Sequence, residues 1–165
     1  MSNEILVKQT IITTLREAME ITHDLVALFP VPFLGTPAIY SDRDLAELLR
    51  HTAWIPKEEI LLLRGLDKET MRKELGSPVC SLEDLRSAFE ESSSFFETSI
   101  APLDLEMSFS NATGRNLSVF AWCLEMLNHF MHHRSQIYLN LLAHDVHPSS
   151  ALLSRLFAGH LPIMR

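Results

Sequence analysis

The chain has 165 residues, 47% hydrophobic and 21% charged, with 21 acids against 14 Lys and Arg and a formal net charge of −7. That length and balance fit one domain, residues 1–165, with its own core, and no basic run offers a nucleic-acid or anionic-membrane surface. The opening MSNEILVKQT has no charged-then-apolar leader pattern, no apolar run reaches spanning length, and Cys80 and Cys123 are isolated, so a reduced, cytoplasmic setting is expected.

Residues 3–29 predict a long amphipathic helix with Ile5, Ile12, Leu15, Met19, Thr22 and Val26 on its inner face, stopped by the prolines of FPVP. A loop follows over 30–40. Ser41 with Asp44 resembles a capping box for a second helix, which carries Leu45, Leu48, Leu49, His51 and Trp54 and stops at Gly65. Pro56 lies inside it. Proline removes a backbone donor and clashes with the carbonyl four residues back, here that of Thr52, so a kink or break is expected. Residues 67–75 predict a short charged helix ended by Gly76. Ser81 with Asp84 signals the cap of a third long helix, about 82–98, with Leu85, Ala88, Phe89, Ser92, Phe95 and Phe96 on one side.

The stretch APLDLEMSFSNATGR then reads as irregular, with Pro102 and Gly114 as breakers. From 117 to 142 there is no Gly or Pro, and apolar residues recur at Phe120, Leu124, Leu127, Met131, Tyr138 and Leu142, which predicts a fourth long helix. A short helix over 149–157 follows Pro148, and no segment alternates as a strand should. Four long amphipathic helices imply an all-α, antiparallel four-helix bundle with a short extra C-terminal helix. The linkers between helices one and two and between three and four exceed the ~2–8 residues usual in bundles. Crossovers, and a loop that shapes a pocket, are therefore expected.

The fourth helix contains NHFMHHRSQIY, with His129, His132 and His133. Each residue turns a helix by about 100°, so His129 and His133 end ~40° apart on adjacent turns, whereas His132 looks elsewhere. Their face reads Trp122, Met126, His129, His133, Gln136, Asn140. Two neutral imidazoles one turn apart suit a divalent transition metal. The same spacing also fits histidines that cap a surface or satisfy a core hydrogen bond. A catalytic zinc site normally takes a third protein ligand. His51 stands out for that role because it lies beside the apolar stripe of helix two, three residues from both Leu48 and Trp54. A core histidine bonded to a backbone carbonyl fits that position equally.

DLAELLRH and LNHFMHHRSQIYLNLLAHDVHP together resemble the two motif regions of the DinB/YfiT-like family, in which a helix-two histidine and an H-x-x-x-H-R-G-Q motif on the last bundle helix bind a divalent metal. The resemblance implies a DinB-like bundle with His51, His129 and His133 as metal ligands and Arg134 and Gln136 in supporting roles. Two departures stand out: Ser135 replaces the motif's Gly, and Pro56 follows His51 on its helix. His23, at the edge of the first helix's inner face, is a minor candidate. His144, His147 and His160 belong to the C-terminal loop and tail, at a pocket rim or, more readily, on the surface, and Glu58, two turns after His51, either faces the same pocket as a base or supporting partner or, as expected, lies on a solvated face. Cys123, on another face of the fourth helix, reads as a small core residue, and neither cysteine is expected to bind the metal.

Three neutral imidazoles would leave an ion, Zn or Ni, its full +2 charge and an open position beside Trp122 and Met126. Such a site activates water for hydrolysis or a small thiol for attack on an electrophile. The resemblance favours the thiol, because relatives include bacillithiol- and mycothiol-dependent transferases and thiol-dependent isomerases. It also implies a homodimer paired through bundle helices. A non-catalytic metal-binding bundle is the remaining alternative, and a fourth protein ligand would mark it. The expected partners are a low-molecular-weight thiol and a small-molecule substrate.

Overall fold

The computed structural model describes residues 3–30, 35–39, 41–75, 81–110 and 115–158. Four long helices dominate: α1 (Asn3–Val26), α2 (Leu45–Leu63), α4 (Leu82–Ile100) and α5 (Val119–Ala143). Shorter α3 (Lys68–Glu74) and α6 (Ser150–Ala158) join them, with two short strands, β1 (Ser108–Ser110) and β2 (Asn116–Ser118). No helix among the described residues is long and apolar enough to cross a membrane.

Local chemistry sets the helix ends. Asp44 caps α2, its carboxylate accepting from the Glu47 amide at 2.7 Å, while Ser41 Oγ accepts from the Arg43 amide at 3.2 Å and lies outside the helix. The cap is therefore Asp44 itself rather than Ser41. Asp67 caps α3 in the same way, and Ser81 caps α4 through the Asp84 amide at 3.0 Å. Gly65 follows α2 with φ +80°, the left-handed region that a side chain would strain. Gly76 and His160 lie outside the described residues. In α1 the buried stripe begins at Ile11 and Ile12, and Ile5 stands in solvent.

Pro56 neither breaks nor ends α2, which runs unbroken from Leu45 to Leu63. Support comes from outside the helix. The amide of Lys57, next to the proline, donates to Ser92 Oγ of α4 at 3.0 Å. The Lys57 ammonium is held by Glu91 Oε1 and the Glu74 carbonyl, both at 2.6 Å, and lies over the rings of Trp54 and Phe95. The buried stretch around the proline is thus stitched to α3 and α4, and His51 keeps its place one and a half turns earlier.

The segment before α5 is not wholly irregular. β1 and β2 pair antiparallel, with Phe109 opposite Leu117. Three-residue strands are too short to show alternation. The chain beneath them then serves the next helix: Met107 and Leu105 carbonyls accept from the Val119 and Phe120 amides at 2.8 and 3.0 Å. Those are first-turn donors that a helix cannot satisfy itself.

α1 and α2 each pack against both α4 and α5, so α1 lies diagonally across from α2. The directions follow from the bonds. Arg16 meets Glu97 and Lys8 meets the Ala101 carbonyl, which makes α1 and α4 antiparallel. Lys57 meets Ser92 and Arg64 meets Ser99, so α2 and α4 advance together and are parallel. Trp122 meets Glu59 and His129 meets His51, so α2 and α5 are antiparallel. The bundle therefore does not alternate throughout. The connection that must run back along it is the one carrying α3, not the two linkers that the sequence singled out.

On α5 the buried side is Val119, Trp122, Cys123, Met126, Phe130 and Ile137, together with His133, Arg134 and Asn140. Phe120 and Leu124, whose recurrence marked the helix, are 40% and 43% exposed. The helix is apolar on more than one side, and the face that carries Trp122, Met126, the histidine pair and Asn140 is the one turned inward.

Asn140, fully buried, fixes the loop after α1. Its Oδ1 accepts from the Ile39 amide at 2.7 Å and its Nδ2 donates to the carbonyls of Ile39 and Gln136, each at 2.8 Å. Asn140→Leu should destabilise the protein by about 2–3 kcal/mol, the cost of stranding paired backbone groups. Urea unfolding checks this, and a midpoint equal to wild type would contradict it.

Candidate metal centre

α2 contributes His51 and α5 contributes His129 and His133, and the antiparallel packing brings them face to face. Their ring centroids are 4.8 to 5.3 Å apart. One ring nitrogen from each lies within 4.8 Å of the others, and the Nε2 atoms of His51 and His129 are 3.4 Å apart. Two nitrogens bound tetrahedrally to one ion at ~2.0–2.1 Å stand roughly 3.4 Å apart. Among the described residues this cluster holds three His, Cys, Asp or Glu side chains and no fourth.

Each imidazole is anchored through its other nitrogen. His51 Nδ1 lies 3.2 Å from Glu58 Oε2, His129 Nδ1 lies 3.0 Å from Glu59 Oε1, and His133 Nδ1 lies 2.6 Å from Gln136 Oε1. A carboxylate or amide oxygen only accepts, so each Nδ1 carries a proton, and in the neutral rings each Nε2 presents a lone pair. Two lone pairs then face each other between His51 and His129 with no hydrogen to share. A cation between them resolves that repulsion, and the donor set fits a divalent ion.

Burial has a further effect. His133 is 5% exposed, and desolvation, opposed by the bond to Gln136 and aided by His51, His129 and His132, pushes its pKa down to about 4. It is neutral at pH 7 and its lone pair is available. His129 is the most open of the three, with 38% of its side chain exposed.

The other sequence candidates fall elsewhere. His132 is exposed and points away from the cluster's face of α5. His23 borders a separate cavity of about 530 Å³ with Arg16 and Phe89. His144 ends α5, and exposed His147 pairs with Asp145 at 3.2 Å. Buried Cys123 has its thiol pushed up to about 12 by desolvation and stands outside the cluster, while Cys80 lies outside the described residues. Ser135 donates to the Met131 carbonyl at 2.9 Å. Met126 is completely buried and Trp122 spends its indole N–H on the Glu59 carbonyl at 3.1 Å, so they back the centre within the core.

Glu58 is not solvated as expected. It is half-buried against His51, seven residues back on the same helix, a spacing that keeps both on one face. Glu59 was missed. It reaches across to α5, and only the helix pairing reveals its target.

No protein-family model matches this chain, and no curated protein does. Among solved structures, its fold is similar to that of a DinB-family protein from Exiguobacterium sibiricum, with a TM-score of 0.73 and 24% identity over 90% of this chain and 98% of that one. The fold is thus an all-α, DinB-like helical bundle, in agreement with the motif resemblance.

The His133 shift carries a pH signature in the metal-free protein. An unfolded histidine titrates near ~6.5, so between pH 6.5 and 4 the unfolded chain binds the extra proton. This contribution to stability is complete above pH 6.5 and disappears as the pH falls through about 4. Between pH 7.5 and 4.5, wild type should lose about 2–3 kcal/mol more than His133→Gln. Chelator-treated samples unfolded in urea at both pH values test this, and equal losses would contradict it.

Proposed function

We propose that this protein is a metal-dependent enzyme in which His51, His129 and His133 hold one divalent ion, Zn or Ni, and a small thiol is brought there for transfer to an electrophile or for thiol-dependent isomerisation. The observation that carries the reading is the set of three anchored imidazoles, one ring nitrogen of each within 4.8 Å of the others. When bound, the ion supplies positive charge at an open position and so acidifies a thiol or water that reaches it.

The protein's own groups tune that charge. Glu58 and Glu59 hold the Nδ1 protons and push electron density into two of the imidazoles. The positive charge left for an incoming ligand is then smaller than a bare +2. That favours a thiol, which must be acidified by only about 1–2 pH units from ~8.5 to ionise at neutral pH, over water, which starts from ~15.7. Half-exposed His129 leaves a route for a small molecule, and buried His133 keeps the inner side dry.

Elemental analysis of protein purified without chelator should find about one ion per chain. His129→Ala and His133→Ala should empty the site, Glu59→Gln should weaken metal affinity by roughly 10–100-fold, and Cys80→Ser with Cys123→Ser should change nothing. Wild-type metal content in both histidine variants would refute the ligand assignment. With Co(II) in place, low-molecular-weight thiols should produce a near-ultraviolet charge-transfer band, and a competent thiol should consume a general electrophile. Full metal loading without either response would leave hydrolysis or a structural metal as the better account.

A further inference from the structure

The cavity between α5 and α6 is built around a buried cation that has no counter-charge among the described residues. Arg134 is 5% exposed, and its Nε is buried with no hydrogen-bond partner among the described residues. The other buried cation, Lys57, is treated very differently: it has a carboxylate, a carbonyl and two aromatic faces. An unpaired buried charge is costly, and a fold that retains one gains most from a ligand that supplies the missing partner.

The space beside Arg134 narrows the choice. It is a cavity of about 190 Å³ lined by Arg134, Ser135 and Tyr138 of α5 and Leu156 and Phe157 of α6. Tyr138 and Phe157 meet edge to face at 6.0 Å, and Leu156 is buried, so the walls are aromatic and aliphatic. The Ser135 hydroxyl already donates to Met131, which leaves the guanidinium to bind an anion. A guanidinium matches a carboxylate in shape, through two parallel N–H···O bonds, and in charge, one against one. A dianionic phosphate would stay half-neutralised among apolar walls.

We propose that this cavity is a binding site for a small carboxylic acid with an apolar body, its carboxylate on Arg134 and its body against Tyr138, Leu156 and Phe157. The site faces α6, away from the histidine cluster, and does not depend on the metal reading. It adds a second ligand class to the protein.

Benzoate is the probe, and benzamide, of nearly the same shape but uncharged, is the control. In thermal unfolding of the full chain at constant ionic strength, benzoate should raise the midpoint saturably and benzamide should not. Arg134→Met should abolish the benzoate response. His129→Ala should retain it, because the acid does not sit on the histidines. Equal responses to benzoate and benzamide, a response that survives Arg134→Met, or one lost in His129→Ala would each overturn the proposal. If Arg134→Met does not fold, Phe157→Trp narrows the cavity from exposed α6 and should weaken benzoate binding at least tenfold by calorimetry; unchanged affinity would refute the site.

Discussion

The close antiparallel contact between α2 and α5 is the constraint on which the rest of the structure depends. It places imidazoles, carboxylates and an amide between two helices where apolar packing would be simpler. The arrangement is tolerable because each polar group is answered: Glu58 by His51, Glu59 by His129, Gln136 by His133. Remove one member and its partner is left half-buried and unsatisfied, which costs more than the bond itself contributes.

Holding two helices in that register takes support at a distance. α2 carries a proline in its buried stretch, and α4 supplies the hydroxyl and carboxylate that secure the next residue, Lys57. α5 begins on carbonyls of the chain beneath the hairpin and, near its far end, grips the loop after α1 through Asn140. The chemistry is concentrated at one point, but the rigidity that positions it is drawn from nearly every element of the bundle.

The sequence revealed the helices well, since caps such as Ser81 and breakers such as Gly65 act within a few residues. It also revealed that His129 and His133 share a face, because that is a property of one helix. Properties of pairs of helices were harder. The parallel course of α2 and α4, the reach of Glu59 to His129 and the inward side of α5 all depend on which neighbour a helix meets. Periodicity on a helix that is apolar on more than one side does not say so. His51 stood out beside the apolar stripe of its helix, where a core histidine fitted equally, and the motif resemblance decided in favour of the pair. Pro56 misled in the opposite direction: the penalty for proline in a helix is real, but a neighbouring helix offset it.

The separation of the three imidazoles along the chain has a consequence for biosynthesis. His51 and His129 are 78 residues apart, and His133 lies later still. During translation, the first three long helices are complete before the last two of these histidines leave the ribosome. Early intermediates therefore expose only one imidazole of the set, too little to capture an ion firmly. Only a chain that has reached α5 assembles the trio, so any ion it holds would be captured after the helices that frame it have been made.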